Sequence, residues 1–368
     1  MFIKNIKKES LLNPLQKIIG IVERKQPIPI LSNVLIEKTG SNVRFVTTDL
    51  EIQIATQFSD VNQTNYDTAI TVAAKKLQEI LKVLPEGSLV TLDIHENRLI
   101  VKVNKSKFTL QTLPAQDFPK ILEQLEQAVK VQIEQGKLKK LLGMVQYAMA
   151  QQDIRYYLNG VLLVIEGNFL KLIATDGHRL AYVITKLDQE YAKREIILPR
   201  KTINELIKLL AETEEKITFE LAENQVRMAF SDIILTSKVI DGKFPDYDRV
   251  IPNYTNHLTL DRNTILQALQ RAAILSNEKF RGVRFVMTEK NMRIISSNSE
   301  QEEAQEDIEN EYHGPALDIG FNVNYLLDGL INANTQEVTF SFGDSNSSIL
   351  ITVPGDEDFK YVVMPMRI

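Results

Sequence analysis

At 368 residues, 44% apolar and 25% charged, the chain is long enough for two or three domains, and its composition is that of a soluble globular protein. It has no cysteine, which excludes disulfides and thiolate metal sites, and a formal net charge of −5, which excludes a protein that coats nucleic acid with its whole surface. No apolar stretch is long enough to cross a bilayer, and Met1–Lys8 lacks the apolar core and cleavage site of a signal peptide, so the expected location is cytoplasmic.

In chain order the predicted elements recur. Glu9–Glu23 sets Leu12, Leu15, Ile19 and Val22 on one helical stripe. A hairpin follows over Asn33–Ile36 and Val43–Thr48 and ends at Asp49; Ala73–Leu84 then reads as a second helix. The pattern restarts at Lys137–Ala150, with Leu138, Leu141, Leu142, Val145 and Met149 on one stripe. Its hairpin, Gly160–Leu163 and Leu170–Thr175, ends at Asp176, and Pro199 opens a helix over Arg200–Glu212. A third copy has a helix over Asn263–Leu275 (Ile265, Leu266, Leu269, Ala273), a hairpin over Gly282–Phe285 and Met292–Ser297 ending at Asn298, and a helix over Val323–Ile331.

The spacing makes this a repeat rather than a resemblance among ordinary segments. Asp49 follows Val34 by 15 positions, as Asp176 follows Val161 and Asn298 follows Val283. Asp117-Phe118-Pro119 and Lys243-Phe244-Pro245 punctuate the first two copies. The expected class is α+β, with domains at 1–125, 126–253 and 254–368, each made of two helices packed on antiparallel sheets.

Charge is segregated. On the predicted helices Lys17 and Arg24, Lys75 and Lys82, and Lys201 and Lys208 are seven apart, Lys137 and Lys140 are three apart, and Arg271 stands on the third copy's first helix. If these helices line one surface, their cations converge there, which suits non-specific contact with DNA phosphates. The acids gather instead at Glu300, Glu302, Glu303, Glu306, Asp307, Glu309 and Glu311. Such a run is either a solvated face or one half of a complementary contact.

Enzyme motifs are missing: no phosphate loop, no dinucleotide fingerprint, no nucleophile elbow and no metalloprotease helix. His95, His178, His257 and His313 are scattered without ligand spacing. In Thr175-Asp176-Gly177-His178-Arg179, Asp176 and His178 could be imagined as an acid/base pair of a hydrolase. The plainer reading is a tight turn through Gly177 that presents His178 and Arg179 to a surface pocket. No catalytic residue, metal or cofactor is expected. A monomeric scaffold that binds proteins but not DNA is the other alternative.

Ala174–Leu180, Arg155–Gly160, Asp241–Tyr247, Arg271–Arg284 and Tyr361–Arg367 resemble the bacterial sliding clamps, the beta subunit of DNA polymerase III, and the likeness runs from Leu11 to the last residue. The resemblance implies a head-to-tail homodimer closed into a ring around double-stranded DNA, helices lining the hole and sheets forming the rim. It also implies a non-enzymatic role in polymerase processivity. Short peptides of the polymerase, the clamp loader and repair proteins would bind a pocket of Arg155, Tyr157, Leu158, Thr175, Gly177, His178, Leu180, Pro245, Val250, Asn322, Tyr325, Ser348, Val362, Met364, Pro365, Met366 and Arg367. Apolar walls with adaptable methionines suit several partner sequences. DNA contacts would fall on Arg24, Lys25, Lys75, Gln152, Arg155, Tyr156, Arg200 and Lys201. At the subunit interface Phe108 and Leu110 would meet Ile274 and Leu275, and Lys105 and Lys107 would face Glu300, Glu303 and Glu306. Asn346 departs from the family pattern at a pocket edge where an apolar residue is expected. Glu51-Ile52-Gln53-Ile54 has no counterpart of His178, so only the middle and last copies should build the pocket.

Overall fold

The computed structural model of the chain describes residues 2–23, 27–60, 67–122, 125 and 128–367. Within them one element order runs three times. The first pass is β1 (Ile3–Lys7), α1 (Lys8–Ile18), β2 (Asn33–Thr39), β3 (Asn42–Thr48), β4 (Ile52–Ser59), β5 (Thr68–Ala73), α2 (Ala74–Val83), β6 (Leu89–His95), β7 (Arg98–Val103) and β8 (Ser106–Leu113). The second is β9 (Val129–Glu134), α3 (Gln135–Val145), β10 (Gly160–Thr175), β11 (Arg179–Pro199), α4 (Arg200–Leu209), β12 (Lys216–Leu221), β13 (Gln225–Phe230) and β14 (Ile233–Lys238). The third is β15 (Asn256–Asp261), α5 (Arg262–Ile274), β16 (Gly282–Met287), β17 (Asn291–Ser297), β18 (Glu303–Glu309), β19 (Leu317–Asn322), α6 (Val323–Asn332), β20 (Glu337–Phe342), β21 (Ile349–Val353) and β22 (Asp356–Val363). In the middle pass β10 and β11 each run through the length that two strands take elsewhere. The first-pass hairpin turns at Gly40 (φ 61) and β10 at Gly167 (φ 58), a backbone region that glycine enters without steric cost.

Compactness groups the chain into two units, Met1–Lys137 with Asn204–Val239, and Leu138–Ile203 with Ile240–Ile368. The first holds a 12-stranded sheet in the order β1-β6-β7-β8-β5-β2-β3-β4-β14-β13-β12-β9. The second holds a six-stranded sheet, β10-β11-β22-β21-β20-β15, and a four-stranded sheet, β18-β17-β16-β19. Both junctions between successive passes lie inside a unit, and they follow one rule. β4 pairs antiparallel with β14, from Ile52↔Ser237 to Thr56↔Ile233. β11 pairs with β22, from Arg179↔Val363 to Val183↔Phe359. In each, the strand after the polar turn meets the last strand of the following pass.

Helical spacing of apolar residues decides which faces are buried. α1 buries Leu11, Leu12, Leu15 and Ile18, and α2 buries Ala74, Leu77 and Leu81. In the other unit α5 buries Ile265, Ala268, Leu269 and Ala272, and α6 buries Val323, Leu326, Gly329 and Leu330. Gly329 permits a close approach, because a Cβ there would stand 2.4 Å from the ring of Tyr361.

The sequence prediction placed the six α-helices found among the described residues, but three end early. The expected Glu9–Glu23 stops at Ile18 and tightens into a short 3-10 turn, and the Ile18 carbonyl accepts from Thr47 Oγ1 at 2.7 Å. The expected Lys137–Ala150 stops at Val145 in the same manner. α4 ends at Leu209 instead of Glu212, and beyond it the Gln135 side chain caps the Ala211 N–H. The strands that lead each pass (β1, β9 and β15) went unpredicted. Two expectations about the basic rows are corrected. Lys17 stands in the last turn of α1, which ends at Ile18, and is held by Asp232 at 2.6 Å, while its expected companion Arg24 lies outside the described residues. Arg271 is not an open cation; it forms a two-pronged pair with Glu306 at 2.8 and 2.7 Å.

Candidate functional site

The segment Thr175–Arg179 is a tight turn, and the carboxylate of Asp176 builds it. Asp176 Oδ1 accepts from the backbone N–H of His178 (2.9 Å) and Arg179 (3.1 Å), while Oδ2 accepts from Arg179 Nε (3.1 Å). Gly177 takes φ 89 between them. The same job is done at the equivalent positions of the other passes. Asp49 Oδ1 accepts from Glu51 and Ile52, and Asn298 Oδ1 from Glu300 and Glu302. The 15-residue interval is therefore the length from a buried strand position to a turn-capping side chain. A carboxylate that is already satisfied by two amides and a guanidinium is poorly placed as a base toward His178. Among the described residues no group of three His, Asp or Glu could hold a metal ion.

Beneath the turn lies an apolar floor. Leu158, Leu180 and Val362 are buried in one cluster with Ala150, Leu162, Ile173, Tyr182, Ile197 and Phe244, and Tyr157, Tyr247, Ile251 and Leu350 pack against it. Burying each large aliphatic side chain contributes about 1.5–3 kcal/mol to holding the floor together. Leu180 and Val362 are partners across β11 and β22. The end of the chain crosses the site: Met364 N donates to the His178 carbonyl and Met366 N to that of Gly320, both at 2.8 Å. Met364 is left exposed, as are Pro245 and Val250 on the segment after Phe244.

Two walls flank the floor. On one side Asp153 Oδ1 accepts from the N–H (2.8 Å) and Nε (3.0 Å) of Arg155, and Oδ2 from Nη2 (2.9 Å). Arg155 Nη2 also donates to the Asp176 carbonyl at 3.2 Å. These hydrogen bonds, the Arg155 side chain first, hold the Asp153 carboxyl down at about 2. A Cβ on Gly177 would stand 3.0 Å from the Arg155 guanidinium nitrogens. On the other side Tyr325 of α6 stacks on His178, their ring centroids 6.4 Å apart. Asn322 caps α6, and Ser348 sits 3.5 Å from Tyr254 Oη just before β21. Arg155, Tyr157, Leu158, Thr175, Gly177, His178, Leu180, Tyr325, Val362 and Met364 are thus linked around the Thr175–Arg179 turn. Asn346 is exposed in the turn capped by Asp344. Sequence reasoning missed Arg179 as the link between the turn and α6, although it stood within the conspicuous Asp176–Arg179 string.

The junction between the first two passes has the same backbone and different side chains. Lys238 N donates to the Glu51 carbonyl at 2.8 Å, as Met364 N does to His178. Gln53 pairs with Thr236 where Leu180 pairs with Val362. Polar Gln53, Thr236 and Lys238 replace Leu180, Val362 and Met364, and Gln53 uses its amide to hold Ile121 N (2.9 Å) and O (3.3 Å).

The remaining candidates are dispersed. Arg24 and Lys25 lie outside the described residues. Lys75 is half-buried on α2, and Lys201 half-buried on α4. Gln152 (φ 55) and Tyr156 are exposed, and Arg200 Nη1 donates to the Met149 carbonyl at 3.0 Å. Lys105, just before β8, and Lys107 on it are exposed beside half-buried Phe108 and Leu110. Ile274 is 76% exposed at the end of α5, Leu275 is half-buried, and Glu300 and Glu303 are exposed.

Three family models match in succession: the N-terminal domain of the DNA polymerase III beta subunit over residues 1–122, its central domain over 132–246 and its C-terminal domain over 248–367. The chain is 43% identical over 366 residues to the beta sliding clamp of Pseudomonas putida and 40% identical over 364 residues to that of Escherichia coli K12, with 99% of each chain covered. The DNA polymerase III beta subunit of Pseudomonas aeruginosa superposes with a TM-score of 0.95 at 42% identity, 99% of each chain covered. That of Caulobacter crescentus superposes at 0.93 and 35% identity, over 99% of this chain and 100% of the other. This chain belongs to the DNA polymerase III beta subunit family, the bacterial beta sliding clamps.

Proposed function

We propose that two copies of this chain close head to tail into a ring that slides on duplex DNA and tethers the replicative polymerase, the family's processivity role. The observation that carries this reading is the junction rule. β4·β14 and β11·β22 each join the strand after a polar turn to the last strand of the next pass. One strand of each kind is left over: β18, at the edge of its sheet, and β8, which beyond β7 meets β5 only through Thr112 and Leu113. They are the two ends of an open series, and pairing β8 with β18 of a second copy closes it in the heterologous manner that makes rings.

The register follows from the internal junctions. Asp49 N bonds the Ile52 carbonyl as Asn298 N bonds that of Glu302, so Glu302 takes the place of Ile52. Phe108 then faces Ala304, Lys107 faces Gln305 with Glu303 and Asp307 as diagonal neighbours, and Leu110 faces Glu302. Phe108 and Leu110 fall on the half-buried side with Ala304, near Ile274 and Leu275, while Lys107, Glu303 and Asp307 fall on the other. Lysine against glutamate at opposite ends of one chain favours head-to-tail over head-to-head pairing.

The apolar surface at β11·β22, whose counterpart at β4·β14 carries polar Gln53, Thr236 and Lys238, makes one partner-peptide site per chain. Polymerase, clamp loader and repair proteins are its expected ligands. A clamp structure of Pseudomonas aeruginosa holds griselimycin. The sequence-derived division at about residues 125 and 253 stays our reading of the domains. So does a chain that performs no chemistry and works in the cytoplasm; no helix among the described residues is long and apolar enough to cross a membrane. DNA contact is assigned to Arg24, Lys25, Lys75, Gln152, Arg155, Tyr156, Arg200 and Lys201. Sedimentation tests the closure: the native chain should run as a dimer, and Leu110→Asp, which sets two carboxylates face to face, should run as a folded monomer. A native monomer, or a dimer indifferent to Leu110→Asp, contradicts the register.

A further inference from the structure

We propose that Arg179 is a positioning residue of the peptide pocket: its guanidinium fixes the Tyr325 ring against His178 and so sets one wall of the site without touching the ligand. The inference rests on the pocket reading above.

Arg179 sits where a surface arginine is expected, at the end of a turn, yet its side chain is only 10% exposed. Nε donates to Asp176 Oδ2 at 3.1 Å, Nη1 to Asp328 Oδ2 at 2.6 Å, and Nη2 to the Tyr147 carbonyl. The guanidinium carbon stands 4.6 Å from the centroid of Tyr325 and 5.7 Å from that of Tyr147. One side chain therefore ties together the turn Thr175–Arg179, the short 3-10 turn Gln146–Ala148 and helix α6.

The consequence for the pocket is geometric. Tyr325 is anchored through its backbone, whose carbonyl accepts from Tyr361 Oη at 2.8 Å. Its ring meets both the Arg179 guanidinium and the His178 imidazole, the latter lying 18° from parallel to it. An arginine that served only the core would show in stability alone. One that holds the wall shows in the pose of His178 and in peptide affinity. Lysine keeps the charge but loses the planar fork that spans three acceptors and stacks on the ring.

The test uses Arg179→Lys and Asp328→Asn in the full-length protein. Two quantities are read: affinity for a synthetic acetylated Gln-Leu-Ser-Leu-Phe pentapeptide by calorimetry, and the Cε1–H resonance of His178 by NMR. With only four histidines in the chain that resonance is assignable. Expected are about a tenfold loss of affinity for Arg179→Lys and about threefold for Asp328→Asn, the former equal to ~1.4 kcal/mol. In both free variants the His178 resonance should move in the same direction. Should Arg179→Lys not fold, Asp328→Asn decides, since Asp328 lies at the half-exposed end of the pair. Unchanged affinity overturns the proposal, as does lost affinity with an unmoved His178 signal, which would mean that Arg179 contacts the peptide directly. If the native protein ignores the pentapeptide, the pocket reading falls; the His178 shift in the free protein still decides whether Arg179 positions the wall.

Discussion

At the scale of single residues, Asp153 shows how a charged pair is kept in one geometry beside the Thr175–Arg179 turn. Its carboxyl titrates at about 2 because the Arg155 fork and N–H bind the ionised form. The folded value lies below the unfolded ~3.9, so the pair adds stability above about pH 4 and loses it as pH falls toward 2. An NMR titration should place Asp153 near 2 in the native protein and return it toward the ordinary value in Arg155→Ala. Lys38 and Asp60 are a different case, 2.6 Å apart with side chains 1% and 0% exposed. Removing one charge from such a pair strands the other, so Asp60→Ala should cost about 3–5 kcal/mol in denaturant unfolding, while Lys38→Met with Asp60→Leu costs far less. The Asp176–Arg179 turn was legible in the sequence because its residues are local and of turn type. The Lys38–Asp60 pair was not, since its members are 22 positions apart and nothing in the pattern marks a lysine as buried.

At the scale of elements, apolar periodicity was enough to find six helices, and equal spacing was enough to find three passes. Helix ends were less legible because they are set by distant partners: the Ile18 carbonyl by Thr47, the end of α4 by Gln135. The leading strand β1 is short, with only Ile3 and Ile6 buried, too little alternation to stand out. Junction pairing was invisible in the sequence, and the structure supplies its register. Gln53 offers a test of how the first junction is held. It is buried, and its amide makes two bonds to the backbone of Ile121. Gln53→Leu leaves a donor and an acceptor unpaired and should cost about 1–3 kcal/mol. Hydrogen exchange should quicken at Ile121 first; an unchanged Ile121 amide would mean that the segment is held by other contacts. In α6, Gly329→Ala should lose about 1–3 kcal/mol in the same assay, because Tyr361 would have to move.

At the scale of the whole molecule, the chain separates two tasks. On the proposed reading the ring closes through the β8 and β18 edges, and partner peptides dock where the C-terminal residues cross the His178 turn. Deleting residues 364–368 should therefore leave the dimer intact while peptide affinity falls more than about tenfold. The deletion must spare Val362 and Val363, which are buried and paired to β11. On the proposed reading the basic residues contribute screened, sequence-independent attraction, which weakens with salt, whereas a closed ring holds DNA by topology. The decisive measurement is retention on a nicked circular plasmid, after loading by a clamp loader, before and after the circle is cut. The account predicts that the protein stays on the circle through a high-salt wash and runs off once the DNA is linear. Equal retention on both forms, falling only with salt, would contradict it.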